Sequence, residues 1–275
     1  MSKGYAVAGR TLAGAAATLA ALHQPLAAQT DYYNTDTGRP VRIEDAAPTE
    51  RYAFELQLAP LRLEREAGGA YHWEIAPELA YGILPRTQLE VGFPLVYVDA
   101  AGGGGASGLA GVEVAALHQL NVETRTLPSL AVAADVLLPV GGLAPEGVYT
   151  SVKGIATRTL SWARFHANAQ YTFGDDLSDG EEAGEASRWM AGLAVDRTFP
   201  LRSMLVVADV FAEQPLHDGE ELQWTAETGL RYQTSPQFNV DLGVGRRFAG
   251  GGQGWFFTFG ASHAFAVRSL MPSGR

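Results

Sequence analysis

The chain has 275 residues, a formal charge of −10 and no cysteine, a length that suits one large all-β domain or two ordinary ones. An acidic chain is a poor match for nucleic acid, whose phosphates call for a basic surface. Without cysteine, a disulfide framework, a thiolate metal site and a cysteine nucleophile are all excluded.

Residues 1–29 read as a Sec-type signal peptide. Lys3 and Arg10 precede an apolar, alanine-rich run from Thr11 to Ala21, and Leu26-Ala27-Ala28-Gln29 offers a small-residue cleavage site after Ala28 or Gln29. The run is well short of the roughly 20 apolar residues that span a bilayer, which argues against an anchoring helix. Residues 30–50 are polar, carry Pro40 and Pro48 and lack a clean period. They form a leader that either lines the interior of the downstream domain or hangs outside it.

From Arg51 onward the chain repeats one pattern, period-two alternation closed by a turn, about twelve times. The expected strands cover residues 51–64, 70–83, 88–98, 109–120, 129–138, 148–159, 163–173, 187–198, 203–213, 221–232, 237–248 and 255–265. The seventh is the clearest: Ala163, Phe165, Ala167, Ala169, Tyr171 and Phe173 share one face, Arg164, His166, Asn168, Gln170 and Thr172 the other. Tight connections at 84–87, 160–162 and 233–236 contrast with long, Gly-rich or acidic ones at 99–108, 139–147 and 174–186, as periplasmic turns contrast with outer loops. The expected architecture is all-β, an antiparallel up-and-down transmembrane β-barrel of about twelve strands over residues 51–266, with a C-terminal tail at 267–275.

A soluble barrel or sandwich alternates as well, with its apolar face turned inward. Aromatic residues favour the membrane: Trp73, Tyr97, Trp189, Trp224 and Trp255 fall near one end of their strands, and Tyr81, Phe165, Tyr232 and Phe238 near the other, as two interfacial girdles would. Twelve strands without a helix would also leave a soluble protein with long edges, which closure removes. The last strand, Trp255 to Phe265, is aromatic and ends on Phe, like the C-terminal signal read by the outer-membrane assembly machinery. His263 stands where that signal is usually hydrophobic, and the chain runs on past Phe265.

With the apolar face toward lipid, the lumen receives Glu55, His72, Glu74, Glu78, Glu90, Asp135, Arg164, His166, Arg188, Asp209, Glu227, Arg231, Asp241 and Arg247. The opposite phase would push several charges into hydrocarbon, at about 2–4 kcal/mol for a basic residue near the midplane. Twelve tilted strands close into a cylinder roughly 24 Å across, which inward side chains narrow to a passage for small solutes. Carboxylates facing Arg164, Arg188, Arg231 and Arg247 would set a transverse field that orients a polar or zwitterionic solute, with the net acidic balance favouring cations. The alternative is that these charges pair with one another and fill a closed lumen.

No catalytic constellation is evident. Ser262 and His263 are sequence neighbours on a strand and point to opposite faces, and the histidines lack metal-ligand spacing. The acidic run at 175–182 has Leu177 at the third position of a calcium-loop pattern, so it reads as a solvated outer loop. No metal, cofactor or nucleotide is expected.

The stretch Pro77-Glu78-Leu79-Ala80-Tyr81-Gly82-Ile83-Leu84-Pro85-Arg86-Thr87-Gln88-Leu89-Glu90-Val91-Gly92-Phe93-Pro94-Leu95, with Gly108-Leu109-Ala110-Gly111-Val112-Glu113 after it, resembles the meta-pathway phenol-degradation family of outer-membrane proteins. That family pairs a Tyr-Gly hairpin with a Gly-Leu-Gly-Asp strand start, of which Gly108 to Gly111 lacks the Asp. The resemblance implies an outer-membrane barrel that transports small aromatic or hydrophobic molecules. The partners expected are outer-membrane lipid and lipopolysaccharide, the assembly machinery during insertion, and a small solute. A sealed barrel with a structural or surface-interaction role is the alternative.

Overall fold

The computed structural model describes residues 34–65, 71–99, 104–178, 181–183, 186–217, 219–250 and 254–271. The expected signal peptide lies outside the described residues, as do residues 30–33 of the leader and 272–275 of the tail.

Fourteen antiparallel strands make up the wall: β1 Ala53–Arg65, β2 Tyr71–Leu84, β3 Thr87–Gly92, β4 Leu95–Asp99, β5 Gly105–Leu109, β6 Val112–Asn121, β7 Ser129–Leu138, β8 Tyr149–Thr159, β9 Arg164–Phe173, β10 Trp189–Thr198, β11 Met204–Gln214, β12 Gln223–Ser235, β13 Phe238–Ala249 and β14 Trp255–Ala266. Twelve of them, all but β4 and β5, close a ring in which β1 pairs with both β2 and β14. The β4–β5 hairpin branches off the ring, pairing with the first half of β2.

The expected strand 88–98 is therefore split into β3 and β4 at Phe93-Pro94, and 109–120 is lengthened and split into β5 and β6 at Ala110-Gly111. The cause is local. Pro94 has no N–H for the ladder, and Gly111 takes φ +132, which a side chain would resist.

Short turns gather at one end of the barrel and long connections at the other, here the turn end and the loop end. One turn-end link is longer than the tight turns: residues 122–128 wrap around the Arg158 guanidinium, which donates to the carbonyls of Thr124 (2.6 Å), Arg125 (2.7 Å) and Leu127 (3.1 Å).

Along β12 the alternation is complete, with Gln223, Thr225, Glu227, Gly229 and Arg231 buried and Trp224, Ala226, Thr228, Leu230 and Tyr232 exposed. Leu193 is 63% exposed, whereas Asp196 and Asp241 are each 2% exposed. Charge inside and hydrocarbon outside is the inverse of a soluble barrel, and the soluble alternative falls. The twelve-strand ring has no edge of its own, while among the described residues β5, off the ring, pairs with β4 alone.

Candidate functional site

The interior is occupied. Residues 34–50 add no strand to the ring but run around its inner wall, meeting one strand after another through side chains. The Thr258 hydroxyl (β14) donates to Pro40 O at 3.0 Å. Backbone N–H groups then donate outward in sequence: Arg42 to Glu227 of β12 (2.7 Å), Ile43 to Asp209 of β11 (3.0 Å), Glu44 to Asn168 of β9 (3.0 Å), Ala46 to Thr157 of β8 (3.0 Å) and Thr49 to Gln88 of β3. At the turn end, Tyr52 N–H reaches Gly82 O of β2, and β1 begins. The leader is an inner hoop descending toward the turn end, its main chain satisfied by wall acceptors.

Glycines at inward positions leave the hoop its room. A Cβ on Gly229 would lie 2.6 Å from Pro40 Cβ, one on Gly192 2.6 Å from Ile43 Cδ1, and one on Gly243 would collide with Pro40 O. Ile43 then packs with Met190, Ala194 and Phe211, and Ala46 with Leu117, Ala131 and Ile155, two small apolar patches in the interior.

Two ionic clusters fasten the hoop. In the first, the tight turn Asp36–Arg39 is clasped by the wall. Arg231 binds Asp241, Asp36 (3.3 Å), Asn34 O and Arg39 O (3.2 Å), and Arg39 binds Asp36, Glu55 (3.5 Å) and Asp241 (3.5 Å). Although burial opposes it, the guanidinium groups of Arg39 and Arg231 hold the Asp36 carboxyl below its ordinary value.

In the second, Asp196 accepts from Arg164 (2.9 and 2.7 Å) and pairs with His166 Nε2 (3.0 Å), and His166 Nδ1 meets the Thr157 hydroxyl (3.0 Å) that receives Ala46 N–H. Arg164 also reaches Asp45 at 3.4 Å. Burial pushes the Asp45 carboxyl up to about 6, against the pull of Arg164. The Thr157–His166–Asp196 line has the order of a hydrolytic triad, but Thr157 is 8% exposed and its hydroxyl already holds the hoop. It is a fastening.

Above the hoop a cavity of about 110 Å³ opens toward the loop end, bounded by Asp36, Thr37, Arg42 and Glu44 below and by Ala183 and Ala186 above. Glu74, Glu78, Glu90, Glu113 and Asp135 face it from the wall, with Lys153 on the next strand after Asp135, donating to Thr37 (2.9 Å) and Glu44 (2.6 Å). Its roof is knitted from three loops: Leu177 N–H to Leu216 O (3.1 Å), Glu182 N–H to Leu143 O (2.8 Å) and Glu146 N–H to Glu181 (2.9 Å). The run 175–182, expected to be fully solvated, instead buries Leu177 against Leu137, Tyr149, Ala183 and Leu216.

The residues assigned to the lumen thus have distinct places. Glu74, Glu78, Glu90 and Asp135 line the cavity; Asp209 and Glu227 hold hoop N–H groups; Glu55, Arg231 and Asp241 form the first cluster and Arg164 and His166 the second. His72 is half-buried near the loop end of β2. Arg247 pairs with Glu64 at 2.9 Å, and Arg188 clasps the carbonyls of Thr172, Gly174 and Asp175 with the Asp176 carboxylate. Arg164, Arg188, Arg231 and Arg247 each meet a carboxylate alongside, so the transverse field expected across an open lumen is replaced by local pairing. Trp73, Tyr97, Trp189, Trp224 and Trp255 are exposed on the outer wall near the loop end, and Phe265 stacks on Phe54 at the turn end, ring centroids 5.3 Å apart. Among the described residues no group of His, Asp and Glu is arranged to hold a metal.

Solved structures share this architecture. An outer membrane channel from Pseudomonas putida F1 superposes with a TM-score of 0.54 at 13% identity, covering 84% of this chain and 100% of that one. The fold is the outer-membrane β-barrel. The NanC porin superposes on the same barrel with a TM-score of 0.51 at 11% identity, covering 76% of this chain and 98% of that one. No family model and no curated protein sequence matches the chain.

Proposed function

We propose that this barrel is a passive outer-membrane conduit for small molecules, closed at rest by its own leader. The observation that carries the reading is how the leader is held. A chain lining a polar lumen through side-chain acceptors, with no strand pairing to the ring, can withdraw and leave the wall intact. The similar solved structures are described as a channel and a porin. A charged interior suits water and solute, and an apolar exterior with aromatic residues near the strand ends suits lipid and lipopolysaccharide, reached through the signal peptide and the assembly machinery. No cofactor or nucleotide enters the scheme. The resemblance to the phenol-degradation family points to small aromatic or hydrophobic solutes.

The knitted roof favours a second reading, a sealed barrel with a structural role. Planar-bilayer recording separates the two. The full chain should conduct in brief, small events, and the double variant Asp36→Asn/Arg39→Gln, which unclasps the first cluster, should raise mean conductance at least tenfold. Silence in both proteins would establish the sealed reading.

A further inference from the structure

The outer wall carries two arginines at its loop end, and both lie beside the strand that closes the ring. Trp255 opens β14 and is in register with Arg65 of β1 on one side and Arg246 of β13 on the other. All three are exposed on the outer face. The Arg246 guanidinium lies 5.2 Å from the Trp255 ring centroid, and the Arg65 guanidinium 5.9 Å from that of Tyr71, its partner on β2. Resting on aromatic faces, the two guanidiniums are held at the wall.

The inner face of the same strands shows what the outer face lacks. There Arg62 and Arg247 converge on Glu64, at 3.5 and 2.9 Å. Outside, among the described residues, neither Arg65 nor Arg246 meets a carboxylate. A cation at the edge of a low-dielectric layer attracts an anion more strongly than one in bulk water, so an anion from outside the chain completes the set.

Toward the midplane from this row, the wall is apolar. Leu63, Phe257 and Val244 form the next outward row in register, and Leu61, Phe259 and Leu242 the row after it. Phe257, Phe259 and Leu242 are each more than half exposed. A cationic ledge above a lane of hydrocarbon fits a lipid with a phosphorylated headgroup. The other loop-end tryptophans, Trp73, Trp189 and Trp224, have no arginine in register beside them.

We propose that Arg65, Trp255 and Arg246 form a binding site for the phosphorylated sugar headgroup of lipopolysaccharide, in the leaflet next to the long loops. The two arginine backbones stand two strand spacings apart, about 10 Å, so each guanidinium takes its own phosphate through paired N–H donors. The exposed indole between them gives the sugar a face to pack against, and the acyl chains descend along the two apolar rows. The site exists only when β1 is paired with β14, because Arg65 stands on one side of that seam and Trp255 and Arg246 on the other. A bound headgroup therefore staples the closing seam of the ring. The site is independent of ion conduction.

The test uses the full chain purified in detergent micelles, with lipid binding measured by native mass spectrometry. Bisphosphoryl lipid A should bind at least about tenfold more tightly than its dephosphorylated form, a factor within reach of two charge-assisted contacts. Arg65→Gln/Arg246→Gln should remove that difference, whereas Arg65→Lys/Arg246→Lys, which keeps the charge and loses the planar fork, should retain part of it. Arg197→Gln, at an exposed arginine near the turn end of β10, should change nothing. Bisphosphoryl lipid A should also raise the melting temperature of the parent and leave that of the double Gln variant where it was. Equal binding of the two lipid A forms by the parent, a comparison that needs no variant to assemble, overturns the site. So does an equal loss in Arg197→Gln, the mark of attraction spread over the whole surface. Phosphatidylglycerol bound as tightly as bisphosphoryl lipid A would overturn the assignment to lipopolysaccharide, and displacement of the lipid by an equal concentration of inorganic phosphate would overturn it in favour of a free anion.

Discussion

Asp45 is where the chemistry of a single residue bears on the state of the whole hoop. Its carboxylate accepts from the N–H groups of Ala47 (2.9 Å) and Thr35 (3.3 Å) and faces Arg164, yet burial dominates and lifts its pKa to about 6. In a withdrawn leader the same group would titrate near the ordinary value of about 3.9. The seated state thus binds the proton more tightly, and its contribution to seating is greatest below about pH 4, falls as pH rises from about 4 to 6, and is flat above. Two pKa units amount to about 3 kcal/mol. Maleimide labelling of a cysteine placed at Ala47, divided by the rate of a free thiol at the same pH to remove the change in thiolate fraction, should therefore be slower at about pH 4.5 than at about pH 7.5. Asp45→Asn should flatten that window and slow labelling at neutral pH. Asp36 moves the other way, its lowered pKa costing seating only below about pH 4. A normalised labelling rate that stays level or falls as pH rises through that window would refute the assignment to Asp45.

At the scale of elements, the hoop and the ring are joined through close packing as much as charge. Gly229 and Gly243 are partners in register on β12 and β13, and Pro40 rests on both. Gly243→Ala would set its Cβ against Pro40 O and the Thr258 hydroxyl, with no backbone atom of the wall among its nearest contacts. Hoop labelling should rise at least tenfold, equivalent to about 1.4 kcal/mol, with barrel melting little changed. The ring itself was legible in the sequence because period-two alternation reports which face a residue takes, and Leu193, Asp196, Arg231 and Asp241 follow that rule without exception. Alternation says nothing about what fills the enclosed space. The leader has no period, so Arg42 N–H meeting Glu227, 185 residues away, could not be read from local pattern. The break at Phe93-Pro94 did leave a local mark, the proline itself, but the spacing of apolar residues continues across it and masks the break. The trace that did exist was glycine at inward positions of the wall, Gly192, Gly229 and Gly243, a sign that backbone or another segment approaches there.

For the molecule as a whole, the inside-out distribution of polarity decides both where it resides and what it passes. Spin labels at Val91 and Leu193 should report acyl chains, and labels at Glu90 and Ala194 a polar or protein-packed interior; the reverse would invert the barrel. The cavity beneath the roof is lined by seven carboxylates and two cationic side chains. Glu44 engages Lys153 and Asp36 is held by Arg39 and Arg231, yet acids outnumber bases along the lining, and a water-filled path confined by low-dielectric walls concentrates the resulting field. Released from its hoop by Asp36→Asn/Arg39→Gln, the barrel should prefer potassium over chloride. In a tenfold KCl gradient, further replacement of Glu78, Glu90 and Glu113 by Gln should move the reversal potential toward zero. Raising the salt to about 1 M, where the screening length shrinks to about 3 Å, should erode the preference of the parent and leave the neutralised variant nearly unaffected. Selectivity that survives loss of all three carboxylates would place the filter elsewhere, at the turn-end mouth where the hoop leaves the wall.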